Sequence, residues 1–212
     1  MTNLPRLQYI SQGNTFDEQY QNIYSALDAG VKWIQLRWKN ADLKVLFQIA
    51  ENVSLLCGKY NSIFIINDYP EIAAKLNCNG VHLGLNDMSV HEARKILKPQ
   101  QWIGGTANTL NDVLQRIEEK VTYIGLGPYR FTTTKEKLSP ILGLEGYKNI
   151  LSNIKTDIPI YAIGGITEED IMPLMETGIY GVAISSAITN AKDKSKYIHQ
   201  LNQLLYGAIK NC

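Results

Sequence analysis

Cysteine, histidine, net charge and long apolar runs are all scarce in this chain, and each scarcity removes a class of function. The three cysteines, Cys57, Cys78 and Cys212, are an odd number, lie far apart and form no Cys-x-x-Cys pair. A disulfide framework or a structural zinc site is therefore not expected, and a reducing cytoplasm suits them. The three histidines make no Ser-His-Asp or Cys-His arrangement and no cluster with metal spacing. His82 falls inside a strand pattern and reads as packed and hydrogen-bonded; His91 and His199 read as surface residues of helices. Twenty-one Lys+Arg balance 20 Asp+Glu to a net charge of +1. No basic field exists to hold nucleic acid, so any anionic ligand must be gripped by local groups. No stretch approaches the ~18 apolar residues of a membrane span. The opening MTNLPRLQYI lacks the basic segment and long apolar run of a secretory signal. The expectation is a cytoplasmic protein with no membrane or nucleic-acid partner, and a homo-oligomer is left open. No linker or low-complexity segment divides the chain, so one domain is expected over residues 1–212.

What the chain does have is alternation between two periods. Short apolar runs recur: Leu7–Ile10, Trp33–Leu36, Ile63–Ile66, Gly80–Leu83, Trp102–Gly105, Tyr123–Leu126, Pro159–Ile163 and Gly181–Ile184. Each is too short for a typical helix, and several are rich in β-formers, so each reads as a buried strand. Between them lie segments of helical period. One stripe is Leu43, Leu46, Ala50, Val53 and Cys57; a second is Leu110, Val113, Leu114 and Ile117; a third is Ile171, Leu174 and Met175; the tail gives Tyr197, Leu201, Leu204, Leu205 and Ala208. Thr167-Glu168-Glu169-Asp170 resembles a capping box with Asp in place of Glu. Strand and helix alternating about eight times require parallel strands with helical crossovers. An open doubly wound sheet competes with a closed (β/α)8 TIM barrel. The count favours the α/β barrel, and no Gly-x-Gly-x-x-Gly opens the first helix to favour a dinucleotide-binding sheet.

A barrel carries its reactive groups at the C-terminal ends of the strands, and polar residues gather there. In Gln35-Leu36-Arg37-Trp38-Lys39, alternation puts Gln35, Arg37 and Lys39 on one face and Leu36 and Trp38 on the other, against the helices. An amide, a guanidinium and an ammonium on one face suit a polyphosphate; a strand fraying into solvent gives the same pattern. Asp68 and Asp87 follow the third and fourth strands. They suit a Mg2+ site completed by substrate phosphates, or are helix N-caps. Gly104 and Gly105 would let a ligand approach the backbone, or serve a tight turn. The stretch after the sixth strand, through Thr132, Thr133, Thr134 and Lys135, is long and polar, as functional loops often are. Gly164-Gly165 and Ser185-Ser186 fall in the last two loops, where many barrels hold a phosphate.

Taken in order, these stretches resemble the thiamine-phosphate synthase family: Gln35 to Lys39, Ile66-Asn67-Asp68, Gly80 to Gly84 with Asp87, Ile103 to Thr106, Gly125 to Pro128 with Thr132 to Lys135, Ile163 to Ile166, and Ser185 to Ile188. The resemblance runs along nearly the whole chain. It implies a transferase of thiamine biosynthesis. Gln35, Leu36, Arg37, Trp38, Lys39, Asn67, Thr106 and Lys135 would hold an aminopyrimidine diphosphate. Asp68 and Asp87 would bind Mg2+, and Thr132, Thr133, Thr134, Gly165, Ser185 and Ser186 would hold a thiazole phosphate. Arg37, Lys39 and Lys135 would carry the catalysis, a dissociative loss of pyrophosphate with capture of the pyrimidine cation by the thiazole nitrogen. The chain departs from the family pattern at Trp38, where an acid is usual, at Leu85-Asn86, at Thr106 for Ser and at Tyr69 for Arg. A thiazole tautomerase of the same barrel type would lack the metal acids and carry a histidine near residues 104–108. A barrel that only binds thiamine precursors is the non-catalytic alternative.

Overall fold

The computed structural model describes residues 4–39, 41–131 and 140–207. Eight strands, β1 (Leu7–Ile10), β2 (Trp33–Leu36), β3 (Ile63–Asn67), β4 (Gly80–Leu83), β5 (Trp102–Ala107), β6 (Tyr123–Leu126), β7 (Ile160–Ile163) and β8 (Gly181–Ile184), lie side by side in chain order. All neighbours are parallel, and β8 pairs with β1 through Leu7–Val182, Gln8–Ala183 and Tyr9–Ile184, closing the barrel. The helices are α1 (Phe16–Asp28), α2 (Leu43–Lys59), α3 (Pro70–Leu76), α4 (Val90–Ile96), α5 (Leu110–Glu118), α6 (Gly143–Ser152), α7 (Ile171–Glu176), α8 (Ser186–Thr189) and α9 (Lys194–Gly207). The open-sheet alternative is excluded by the β1–β8 pairing. Among the described residues no helix is long and apolar enough to cross a membrane.

Local chemistry sets where the helices begin. Thr15 accepts from the Glu18 amide, and Asp42 from the amides of Lys44 and Val45. Ser89 with Glu92 and Thr109 with Asp112 form capping boxes. The Thr167–Asp170 box is also present, but it opens a 3-10 turn, Glu168–Asp170, ahead of α7. Two strands run further than their apolar runs. Asn67 belongs to β3, and Thr106 and Ala107 to β5, because polar residues at a barrel mouth can still pair through their backbone. At β7 the strand starts one residue late, since Pro159 has no N–H to give. The α2 stripe is carried by Leu46, Ile49, Ala50, Val53, Leu56 and Cys57. Leu43 and Leu114, expected on apolar stripes, are exposed. Leu43 is the first residue of its helix, and Leu114 is adjacent to the buried Val113, about 100° around the helix from it.

Strand alternation divides the core in two. Ile34 and Leu36 of β2 face outward into the large core between sheet and helices. Trp33 faces inward and joins Leu4, Ile65, Tyr123 and Tyr161 in a second cluster that plugs the barrel. The indole meets Tyr123 and Tyr161 edge to face, with centroids 4.8 and 5.0 Å away, a favoured geometry for rings that each bury ~150–250 Å². One pleat further along β2, Gln35 points to the same interior and begins the polar mouth.

Candidate active site

At the mouth, Gln35 donates from Nε2 to Asn67 Oδ1 at 2.8 Å, both side chains being buried. Its other atom, Oε1, is buried and finds no hydrogen-bond partner among the described residues. Arg37 is held through its backbone: its N–H donates to Ser11 Oγ at 3.0 Å, and its carbonyl accepts from Gln19 Nε2 at 3.3 Å. Lys39 reaches across, with Nζ 3.6 Å from Asp68 Oδ2. Leu36 and Trp38 were grouped with the diphosphate by the resemblance. Their side chains instead pack into or against the outer core, as the alternation of β2 requires.

Asp68 and Asp87 are not helix caps. The residue flanking α3 is Tyr69, which makes no side-chain cap bond, and α4 is capped by Ser89. Asp68 adopts a left-handed φ of 69°, a conformation costly for most side chains. Its N–H donates to the carbonyl of His82 at 2.9 Å. Asp87 accepts from the Gly84 amide at 2.6 Å, and each of the two carboxyl groups shifts the protonation of the other. Burial, reinforced by Asp87, pushes Asp68 up to about 7 against the opposing pull of Lys39 and Arg37. Burial acts on Asp87 too, but Asp68, the Gly84 amide and Lys39 outweigh it and hold Asp87 below the usual carboxylate range. Two carboxylates this close cannot both ionise cheaply unless a cation sits between them. No third His, Cys, Asp or Glu completes a cluster among the described residues. A pair of hard oxygen donors with positions left over fits Mg2+, which commonly keeps waters and takes substrate phosphates.

Thr106, at the end of β5, binds His82 Nε2 through Oγ1 at 2.9 Å. The glycines before it are required by packing. A Cβ on Gly104 would lie 2.1 Å from the Tyr123 ring, and one on Gly105 would lie 2.6 Å from the Arg116 side chain. Arg116 itself is buried and ties two strand ends together, donating to the carbonyls of Thr106 at 3.0 Å and Gly84 at 3.1 Å. Gly164 and Gly165 have φ of 92° and 71°, which favour glycine by turn geometry alone. Arg130 packs over Gly165, donates to its carbonyl at 3.2 Å and forms a two-pronged ion pair with Asp170 at 2.6 and 2.9 Å. Ser185 donates to the Ile10 carbonyl at 2.7 Å, and Ser186 is exposed at the start of α8. Thr132, Thr133, Thr134 and Lys135 lie outside the described residues. Ser11, Gln19 and Arg116 escaped the sequence reading because nothing local marks them, each acting on a strand end distant in sequence; Asp170 was marked as a cap residue, but its ion pair with Arg130 was not legible.

Two clefts, of about 250 and 150 Å³, open at the opposite end of the barrel around Gln101 and Tyr206. Neither includes Arg37, Lys39, Asp68 or Asp87.

Fold and cluster together define a (β/α)8 barrel with an acid pair and two cations at the end where such barrels hold their active sites. The family model for thiamine monophosphate synthase matches residues 7–188, and the chain belongs to that family, which makes it a transferase. It is 55% identical over 207 residues to a thiamine-phosphate synthase of Flavobacterium johnsoniae, covering 96% of this chain and 98% of that protein. A thiamine-phosphate synthase of Bacteroides thetaiotaomicron is 45% identical over 190 residues, covering 88% and 91%. Among solved structures, a thiamine phosphate pyrophosphorylase from Pyrococcus furiosus superposes with a TM-score of 0.84 at 28% identity, over 96% of each chain.

Proposed function

We propose that this chain joins an aminopyrimidine diphosphate to a thiazole phosphate, giving thiamine phosphate and pyrophosphate, with Mg2+ held by Asp68 and Asp87. The observation that carries the reading is the buried acid pair set against Lys39 and Arg37. In the reaction the C–O bond between the pyrimidine methylene and the diphosphate breaks, and a bond from the thiazole nitrogen to that carbon forms. Mg2+ bound at the acid pair would supply charge neutralisation to the diphosphate as it departs. Arg37 and Lys39 act on the same developing charge, stabilising it more in the transition state than in the ground state. Lys135 joins them in this assignment, and Thr132 to Thr134, Gly165, Ser185 and Ser186 take the thiazole phosphate. Gln35 and Asn67 offer the pyrimidine an oriented amide pair, including the unpartnered Oε1. The attacking nitrogen carries no proton, so no general base is required, in keeping with a site whose buried histidine is engaged at both ring nitrogens. Holding the two substrates together adds an orientation effect. Retention of both acids, and the lack of a histidine in residues 104–108, favour this reading over a tautomerase or a non-catalytic binder. Purified protein incubated with both substrates and Mg2+ should yield thiamine phosphate and pyrophosphate by mass spectrometry. Binding of both substrates without product would overturn the assignment.

A further inference from the structure

Four side chains from four strands form an unbroken polar file through the barrel interior. Gln8 of β1 lies with Nε2 3.5 Å from the Tyr123 hydroxyl of β6. That hydroxyl is 3.1 Å from His82 Nδ1 on β4, and His82 Nε2 is 2.9 Å from Thr106 Oγ1 on β5. Gln8, His82 and Thr106 are 2, 7 and 6% exposed and Tyr123 is fully buried, so their hydrogen bonds have few competitors. The absent Cβ of Gly125, which would stand 3.2 Å from His82 Cε1, leaves the imidazole its place.

The donor inventory gives this file a direction. An amide nitrogen can only donate, so Tyr123 accepts from Gln8; its own buried proton then needs an acceptor, and His82 Nδ1 is within reach. Nδ1 is then the bare nitrogen, and the ring proton sits on Nε2, facing Thr106. Thr106 Oγ1 accepts that proton's hydrogen bond, which frees its O–H to donate at the mouth. We infer that His82 is a positioning residue whose tautomer, set from the barrel floor by Tyr123 and Gln8, makes Thr106 a hydrogen-bond donor to an acceptor atom of the pyrimidine diphosphate. The reversed file would make Thr106 spend its proton on His82 and offer the substrate only lone pairs. The assignment of that ligand rests on the proposed function; the direction of the file does not.

The relay is tested by spectroscopy and by binding. In protein labelled with 15N-histidine, the resonance that disappears in His82→Phe should show a pyridine-type Nδ1 and a protonated Nε2; a protonated Nδ1 overturns the relay. Binding is measured with the aminopyrimidine diphosphate alone, without thiazole phosphate. Thr106→Val should weaken it about tenfold, the loss expected for one well-made hydrogen bond at the upper end of the range. His82→Phe should weaken it similarly, and the double variant little further than either single one. Losses that multiply would mean that His82 acts independently and would overturn the proposal. Tyr123→Phe keeps the ring and removes only the anchor, so it guards against a misfolded His82 variant. It should lose roughly threefold in binding and shift the His82 resonances toward a mixture of tautomers, while the KM for thiazole phosphate stays put. Unchanged tautomers in Tyr123→Phe count against the relay. Should the protein make no thiamine phosphate yet show these tautomers and this coupling, the relay stands and the proposed reaction falls.

Discussion

The two ends of this barrel are built from the same strands and obey opposite rules. At the floor, inward positions carry Ile65 and the rings of Trp33, Tyr123 and Tyr161, packed edge to face, with no charge among them. One or two pleats on, the inward positions become Gln35, Asn67, His82 and Thr106, and the loops add Lys39, Asp68 and Asp87. The floor gains stability by excluding water; the mouth gives stability up. An acid whose burial raises it to about 7 and a left-handed backbone at the same residue are costs the fold carries elsewhere, as strained functional sites generally do. Tyr123 joins the two, with its ring in the floor cluster and its hydroxyl 3.1 Å from His82 Nδ1.

Substitutions can break that division of labour in order of size. Asp68→Ala should lower turnover on the order of a thousandfold or more, the scale for losing an electrostatic partner of a leaving group, while leaving the circular dichroism spectrum intact. Near-normal turnover at limiting Mg2+ would remove the metal from the mechanism. Trp33→Ala is the mirror case: deleting a fully buried ring at the floor should cost about 4 kcal/mol in urea unfolding, and substrate affinity should hold in whatever fraction stays folded. A loss of affinity without loss of stability would mean that the two ends are coupled through more than the Tyr123 hydroxyl. Gly104→Ala sits at the boundary. Its methyl would collide with Tyr123, so a cost of about 2 kcal/mol from overpacking is expected, together with a measurable change in activity through Thr106 two residues on.

The smallest effect is pH dependence in metal-free protein. Asp68 keeps its proton in the fold up to about 7 but loses it near 3.8 in the unfolded chain. Between those values the folded state binds more protons, so stability falls as pH rises across that window. Asp68→Asn should flatten the slope and gain about 1–2 kcal/mol at neutral pH, read from chemical denaturation in the presence of a chelator. A slope unchanged by the substitution would place the acid pair's proton elsewhere.

Much of this arrangement was legible in the chain. Alternating apolar runs and helical stripes fix strand and helix because side-chain period follows backbone geometry, and the eight runs correspond to the eight strands within two residues at each end. The alternation in Gln35 to Lys39 correctly separates Leu36 and Trp38 from the side chains that face inward. Two meanings were not legible. The Gly104-Gly105 pair suits either ligand approach or a tight turn, and only the structure shows that its neighbours are Tyr123 and Arg116. The Asp68 and Asp87 carboxyls suited helix capping as well as a metal, and only the structure shows that neither caps α3 or α4.

The sequence by itself determined the element order, the parallel barrel and the end at which polar groups collect, since these follow from periodicity and from chirality of the chain. Which side chains face one another was decided only by the tertiary structure. Gln8 meets Tyr123 because eight strands curl until the first pairs with the last, and Lys39 meets Asp68 because β2 and β3 lie side by side. No local pattern encodes a contact between residues a hundred positions apart.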